Sequence, residues 1–285
     1  MYVILTKRSL IISQSRHCSE FNDIMTDKLF SVAEQVALVS GGSRGIGFEL
    51  ARGFATRGAQ VIITGRDEAT LSAAAEELSQ HGNLVTPIVC DVLNVDEIRC
   101  CVDTVLAEFG RIDTLINVAG VNKRQAAEKF TVEEYDTIID VNLKGAFLMS
   151  QEVGKRMIEQ HSGTQINIDS LNTYAPLKGV LPYAMSKAGM KMMTRGLALE
   201  WGRYGIRVNS LAPGFTLTDL TRKLWSDPKM LKWGKENTPL ERMAEVEDMV
   251  GTAIFLASQA SAFMTGQTLY VDGGISAGIS WPMEL

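Results

Sequence analysis

The chain has 285 residues and a formal charge of −5 at pH 7, with 46% hydrophobic and 21% charged residues. That balance is ordinary for a soluble globular protein; it excludes disorder and collagen-like structure, and the acidic charge argues against nucleic acid as the main partner. The length exceeds one common domain, so one domain over residues 25–285 plus an N-terminal extension over 1–24 is the expectation.

Residues 1–24 differ from the rest. Lys7, Arg8 and Arg16 precede the first acid, Glu20, with serines between them. Two readings stand: a disordered or dispensable upstream stretch ending at Met25, or a basic, acid-poor organelle-targeting segment. The apolar pieces Val3 to Leu5 and Leu10 to Ile12 are too short for a secretory signal. No run approaches the roughly 18 apolar residues of a membrane span. Cys18, Cys90, Cys100 and Cys101 form no CxxC pair and no metal spacing. Reduced thiols, no metal and a cytoplasmic location are therefore expected.

From residue 36 onward β-branched runs alternate with helical patterns. Strand 36–39 leads through a Gly-rich turn into a helix ending near Arg57. Strand 60–64 and helix 68–80 follow. Strand 84–89 contains Pro87, which suits a sheet edge. Helix 95–109, strand 114–117, a long helix 132–160 and strand 165–168 come next. Then come helix 182–204, strand 206–211, a mobile-looking stretch, helix 246–258 and strand 268–271. This alternation predicts a single α/β domain with a seven-stranded, doubly wound parallel sheet of the Rossmann type.

The first strand runs into Ser40-Gly-Gly-Ser-Arg-Gly-Ile-Gly47, so Gly41, Gly45 and Gly47 sit between strand and helix. Bare backbone there lets a pyrophosphate approach the free N–H groups of a helix start. The second strand carries no acid at its end; Gly65 and Arg66 follow it. Arg66, with Arg44 from the Gly loop, could grip a 2′-phosphate, which favours NADP(H) over NAD(H). The competing reading makes Arg66 a solvated turn residue and Asp67 the ribose ligand.

At this point the sequence resembles the classical short-chain dehydrogenase/reductase family, from about Phe30 to Gly274. The resemblance implies that Gly41, Ser43, Arg44, Gly45, Ile46 and Gly47 hold the cofactor, and that Asp91 and Val92 contact its adenine. Asn117-Val-Ala119-Gly120 resembles the family's N-N-A-G, with Val118 in place of the second Asn, which implies that Asn117, Ala119 and Gly120 contact the cofactor. Asn142, Ser170, Tyr183 and Lys187 fall on the catalytic positions. Pro213, Gly214, Thr216 and Thr218 match the segment that covers the nicotinamide. The residue chemistry agrees: Tyr183 and Lys187 share a helix face, and a neighbouring ammonium lowers the pKa of a phenol. Ser170 can donate to a substrate oxygen. The bland readings are a strand-end turn serine for Ser170 and a helix-distorting residue for Asn142. Tyr174 and Lys178 repeat the Y-x-x-x-K spacing, but Pro176 breaks the helix between them. Asp169 is unusual; strand alternation would point it away from the site.

The texture around Gly120 to Arg124, Glu200 to Asn209 and Thr238 to Arg242 resembles gluconate 5-dehydrogenase and other sugar-acid and polyol dehydrogenases. Lys123 or Arg124 could pair with a substrate carboxylate, unless both are a solvated basic turn. Trp225, Pro228, Met230 and Trp233 lie in a stretch suited to close over substrate, or to pack against another subunit. The expected activity is hydride transfer between a nicotinamide cofactor and a secondary alcohol or ketone, with gluconate/5-ketogluconate as the type substrate. A 3-ketoacyl carrier-protein reductase and a non-catalytic nucleotide-binding scaffold are the alternatives. The resemblance also implies a homotetramer built through the two long helices.

Overall fold

The computed structural model describes residues 28–80, 82–279 and 281. The N-terminal segment 1–24, read from sequence as an extension, lies outside the described residues. Seven strands form one sheet: β1 (Val36–Ser40), β2 (Gln60–Gly65), β3 (Val85–Val89), β4 (Thr114–Asn117), β5 (Gly163–Ile168), β6 (Ile206–Pro213) and β7 (Thr268–Val271). Their spatial order is β3-β2-β1-β4-β5-β6-β7, and every pairing is parallel. Parallel neighbours require crossovers, and nine helices flank the sheet among the described residues: α1 (Gly45–Ala55), α2 (Glu68–Ser79), α3 (Val95–Phe109), α4 (Val132–Ile139), α5 (Ala146–Gln160), α6 (Leu181–Trp201), α7 (Asp219–Trp225), α8 (Pro228–Glu236) and α9 (Val250–Ala257).

Both faces of the sheet are covered, so central strands are apolar on both sides. On β1, Ala37 and Val39 enter a core with Leu50 and Phe54 of α1 and Ala253 of α9. Val36 and Leu38 enter the opposite core with Val105 of α3 and Met149 and Val153 of α5. Strand β3 is an edge, as Pro87 predicts, with Pro87 in register with Ile63. Cys90, Cys100 and Cys101 are free thiols.

Two departures from the sequence reading matter for the site. The long helix expected over 132–160 is broken by a π-turn at Asp140–Gly145. The stretch after β6 is not loose chain but α7 and α8. Asp227 caps α8 by accepting from the Lys229 N–H at 2.9 Å, and Pro228 follows at the first helical position. Beneath these helices Phe215 packs between Trp225 and Trp233, with ring centroids 5.3 and 5.5 Å away.

The switch in strand order lies between β1 and β4, whose chains leave the sheet in opposite directions. A crevice opens there at the C-terminal edge, the place where parallel α/β sheets take ligands.

Candidate functional site

A cavity of about 880 Å³ occupies that crevice. One wall is the turn after β1. Gly41 has φ +90°, and a Cβ there would sit 2.6 Å from the backbone nitrogen of Ala119. A Cβ on Gly47 would overlap the Gly41 carbonyl oxygen and lie 3.0 Å from its carbon. The turn and α1 therefore close against each other only because both positions lack side chains. Arg44, preceding α1, makes no side-chain cap, and no acid occupies the first helical turn. The free N–H groups of α1 face a cavity lined by Gly41, Ser43, Gly45 and Ile46, an anion cradle in the physical sense. This arrangement fits a dinucleotide pyrophosphate.

At the far end of the same wall Arg44 and Arg66 both line the cavity. Neither guanidinium has a hydrogen bond or ion pair with another described residue. Asp67, the competing ribose ligand, caps α2 by accepting from the Thr70 N–H at 2.8 Å and is absent from the lining. Asp91 and Val92 line the cavity at the end of β3, and Ala119 and Gly120 at the end of β4. Pro213, Gly214, Thr216 and Thr218 line it beyond β6.

Gly47 and Asn117 stand outside the lining. Gly47 acts through the close approach just described. Asn117 is buried and donates to Ser150 Oγ and to Asn167 Oδ1, both at 2.9 Å. It ties β4 to β5 and α5 rather than reaching into the cavity. Asn142 is likewise fully buried, at the π-turn. Its amide accepts from the Val121 N–H at 2.7 Å and donates to the Val121 carbonyl at 2.9 Å and to Ser186 Oγ at 3.1 Å.

Ser170, Tyr183 and Lys187 meet on the cavity wall. Ser170 Oγ accepts from both the backbone N–H and the side-chain amide of Asn172, each at 3.1 Å, which leaves its own proton to donate. Lys187 is buried and donates to the Ile168 carbonyl at 2.6 Å, with its Nζ 5.8 Å from the centre of the Tyr183 ring. Burial holds its ammonium down to about 8, with the Asp169 charge opposing. The expected lowering of the phenol by Lys187 is not what dominates here. Burial pushes Tyr183 up to about 12; the Ser170 hydroxyl and the Arg124 charge oppose that shift, and Asp169 adds to it. Asp169 does not turn away from the site as alternation suggests. The regular strand ends at Ile168, and the carboxylate is buried facing Lys187 and Lys191.

Of the two basic residues after β4, Lys123 is engaged with Glu134, and Arg124 lines the cavity. Trp225, Met230 and Trp233 from α7 and α8 close the same end. Sequence reading did not single out Asn122, Asn172 or Lys229, and set Lys178 aside with Tyr174; all four line the cavity. The Asp227-Pro228 helix start would have placed Lys229. Tyr174 is exposed and packs edge-on against Tyr270 instead. No group of metal-ligating side chains occurs among the described residues.

A protein-family model described as enoyl-(acyl carrier protein) reductase matches residues 41–276. Gluconate 5-dehydrogenase from Gluconobacter oxydans is 38% identical over 251 residues, 88% of this chain and 98% of that protein. A 3-oxoacyl-(acyl-carrier-protein) reductase from Chlamydia muridarum is 39% identical over 246 residues, 86% of this chain and 98% of that protein. The crystal structure of a gluconate 5-dehydrogenase from Burkholderia cenocepacia, in complex with NADP and tartrate, is similar with a TM-score of 0.85 at 37% identity, covering 88% of this chain and 99% of that one.

Proposed function

The chain belongs to the short-chain dehydrogenase/reductase family and is an NAD(P)-dependent oxidoreductase; from that premise we propose that it interconverts a secondary alcohol and a ketone on a sugar acid or polyol, gluconate and 5-ketogluconate being the type compounds. One observation carries the substrate class: Arg124, Lys178 and Lys229 line the same cavity as Ser170 and Tyr183, Arg124 acts by its charge on Tyr183, and none of the three side chains is paired with another described residue. Unpaired cations beside a proton-donating pair suit a carboxylate on a small hydroxylated substrate.

The cofactor, when bound, supplies or accepts the hydride. Gly41 to Gly47 would hold its pyrophosphate, Asp91 and Val92 its adenine end, and Pro213 to Thr218 its nicotinamide end. Arg44 and Arg66 favour the 2′-phosphate of NADP(H). In ketone reduction Tyr183 gives its phenolic proton to the carbonyl oxygen, and Ser170 donates a hydrogen bond to the same atom. Lys187 is the ammonium beside the phenol. Asn142, by fixing both polar groups of Val121 and the hydroxyl of Ser186, joins the loop carrying Arg124 to the helix carrying Tyr183.

Assembly and location extend this reading. Phe147, Leu181, Met185, Met192 and Leu199 are exposed on α5 and α6. Such a face suits contact with further copies, and a homotetramer is expected by light scattering. No helix among the described residues is long and apolar enough to cross a membrane. A cytoplasmic location, with residues 1–24 dispensable for activity, is tested by deleting them and by imaging a fluorescent fusion.

The deciding experiment is a panel of sugar acids, polyols and 3-oxoacyl thioesters offered with NADPH and with NADH. Ketone-dependent loss of NADPH absorbance with 5-ketogluconate, abolished in Tyr183→Phe, is the expected result. The 39% identity to a 3-oxoacyl-(acyl-carrier-protein) reductase favours a second reading. Turnover confined to the thioesters would establish it in place of the first.

A further inference from the structure

The Tyr183–Lys187 pair has a third charged neighbour that the acid–base scheme leaves idle. Asp169 is 2% exposed, and neither of its carboxylate oxygens has a hydrogen-bond partner among the described residues. A buried carboxylate in that condition is costly and survives only near opposite charge. The Thr173 hydroxyl beside it donates instead to the Ser170 carbonyl at 2.8 Å. The charges facing it come from α6: Lys187 and Lys191, one helical turn apart and so on one face. From β7 comes Tyr270, whose hydroxyl accepts from Lys191 Nζ at 3.1 Å and lies 3.2 Å from Thr173 Oγ1. Tyr183 and Arg124 complete the titratable and charged groups around the pair.

We propose that Asp169 is a positioning residue for proton exchange: its carboxylate is the buried counter-charge to Lys187, itself balanced by Lys191, and it sets the pH range over which Tyr183 works. The inference rests on Tyr183 being the proton-exchanging group.

The sign follows from the charges. A carboxylate favours the ammonium of Lys187 and disfavours a phenolate at Tyr183, so Asp169 raises both, as their surroundings show. Burial holds Asp169 itself up to about 7, with Lys187 and then Lys191 opposing. Removing the carboxylate therefore lowers both groups of the pair. Removing the Lys191 ammonium does the reverse in the alkaline range, where Asp169 is already ionised, because it takes away a positive charge that opposes a second ammonium nearby and favours a phenolate.

The test is the pH profile of kcat/KM for ketone reduction in Asp169→Asn and Lys191→Met. NADPH binding at neutral pH, followed by fluorescence, shows that each variant is folded. In reduction Tyr183 must carry its proton and Lys187 its charge. The alkaline limb is expected to move to lower pH by about one unit in Asp169→Asn, a tenfold change in active fraction at fixed pH. It is expected to move to higher pH in Lys191→Met, and to stay near its original place in Asp169→Glu. Limbs that stay put while rates fall equally at every pH would overturn the proposal, and so would limbs that move the same way in both variants. If Asp169→Asn does not fold, Asp169→Ser is read in its place, an acid shift of the alkaline limb supporting the proposal and an unmoved limb overturning it. An active Tyr183→Phe would instead remove the reading beneath it; an inactive Tyr183→Phe with unmoved limbs removes only the role of Asp169.

Discussion

Replacing Gly47 by Ala probes the cofactor cradle through a contact that no side-chain rotation can relieve. The new Cβ meets the Gly41 carbonyl group and lies 3.2 Å from Gly42 Cα, all of it backbone. Comfortable contacts need about 3.5 Å, and the carbonyl oxygen is the nearest atom, so the first turn of α1 and the Gly41–Gly42 turn must part by roughly 1–1.5 Å. Overpacking of this kind costs about 1–3 kcal/mol. In a domain of this size each kcal/mol lowers Tm by about 2–4 °C. The same parting moves the free N–H groups of α1 off the pyrophosphate, whose charge-assisted hydrogen bonds are worth about 1.5–3 kcal/mol each. NADPH affinity should therefore fall by roughly 10- to 100-fold, measured by fluorescence titration. Gly251→Ala is the matched control. It lies within α9, and a Cβ there meets nothing within 4 Å. Helix propensity alone then applies, so Tm should rise by an amount equivalent to about 0.5–1 kcal/mol with affinity unchanged. A Gly47→Ala protein that binds NADPH within about twofold of the parent would refute the placement of the pyrophosphate at α1.

Arg44→Ala/Arg66→Ala together should weaken NADPH about 10- to 100-fold while leaving NADH nearly unchanged, since each charge-assisted contact is worth about 1.5–3 kcal/mol; titrating both cofactors measures it. Asn117→Ala strands Asn167 and Ser150 in the interior, and thermal unfolding should report a loss of about 1–3 kcal/mol. Arg124→Met should raise KM for a sugar acid about tenfold or more and leave a neutral polyol little affected, as loss of one carboxylate contact implies. Lys123→Met should change neither by more than about twofold, because its half-exposed pair with Glu134 contributes at most about 1 kcal/mol; steady-state kinetics separates the two.

Regular elements were legible wherever local pattern and burial agree. Strands β4 and β7 and helix α3 match the residues expected from their apolar runs, and Pro87 identified an edge from one missing N–H. Helices α7 and α8 were missed because they are short, 7 and 9 residues, and because Trp225 and its apolar neighbours face a small separate cluster with Phe215 and Met243. The π-turn was illegible for a different reason. It is fixed by hydrogen bonds from Asn142 to Val121 and Ser186, partners 21 and 44 positions away, which no window of sequence contains. In the site, Ser170, Tyr183 and Lys187, which the family resemblance singled out, do line one cavity. Asn117 was expected to contact cofactor and instead braces strands, and Asp169 was misplaced because alternation stops where the strand does.

Asn142 treats Val121 as a neighbouring strand would, taking its N–H and filling its carbonyl with one side-chain amide. The chain leaving β4 is thus anchored four residues past the end of that strand. The segment from Asn122 to Thr131 then starts from a fixed point, with Gln125 N–H donating to the Gly179 carbonyl and Lys123 held by Glu134 further along. Such an anchor insulates mechanically: the segment that meets substrate can be lengthened or shortened without displacing the reacting groups, so specificity can drift over evolutionary time while their geometry stays fixed.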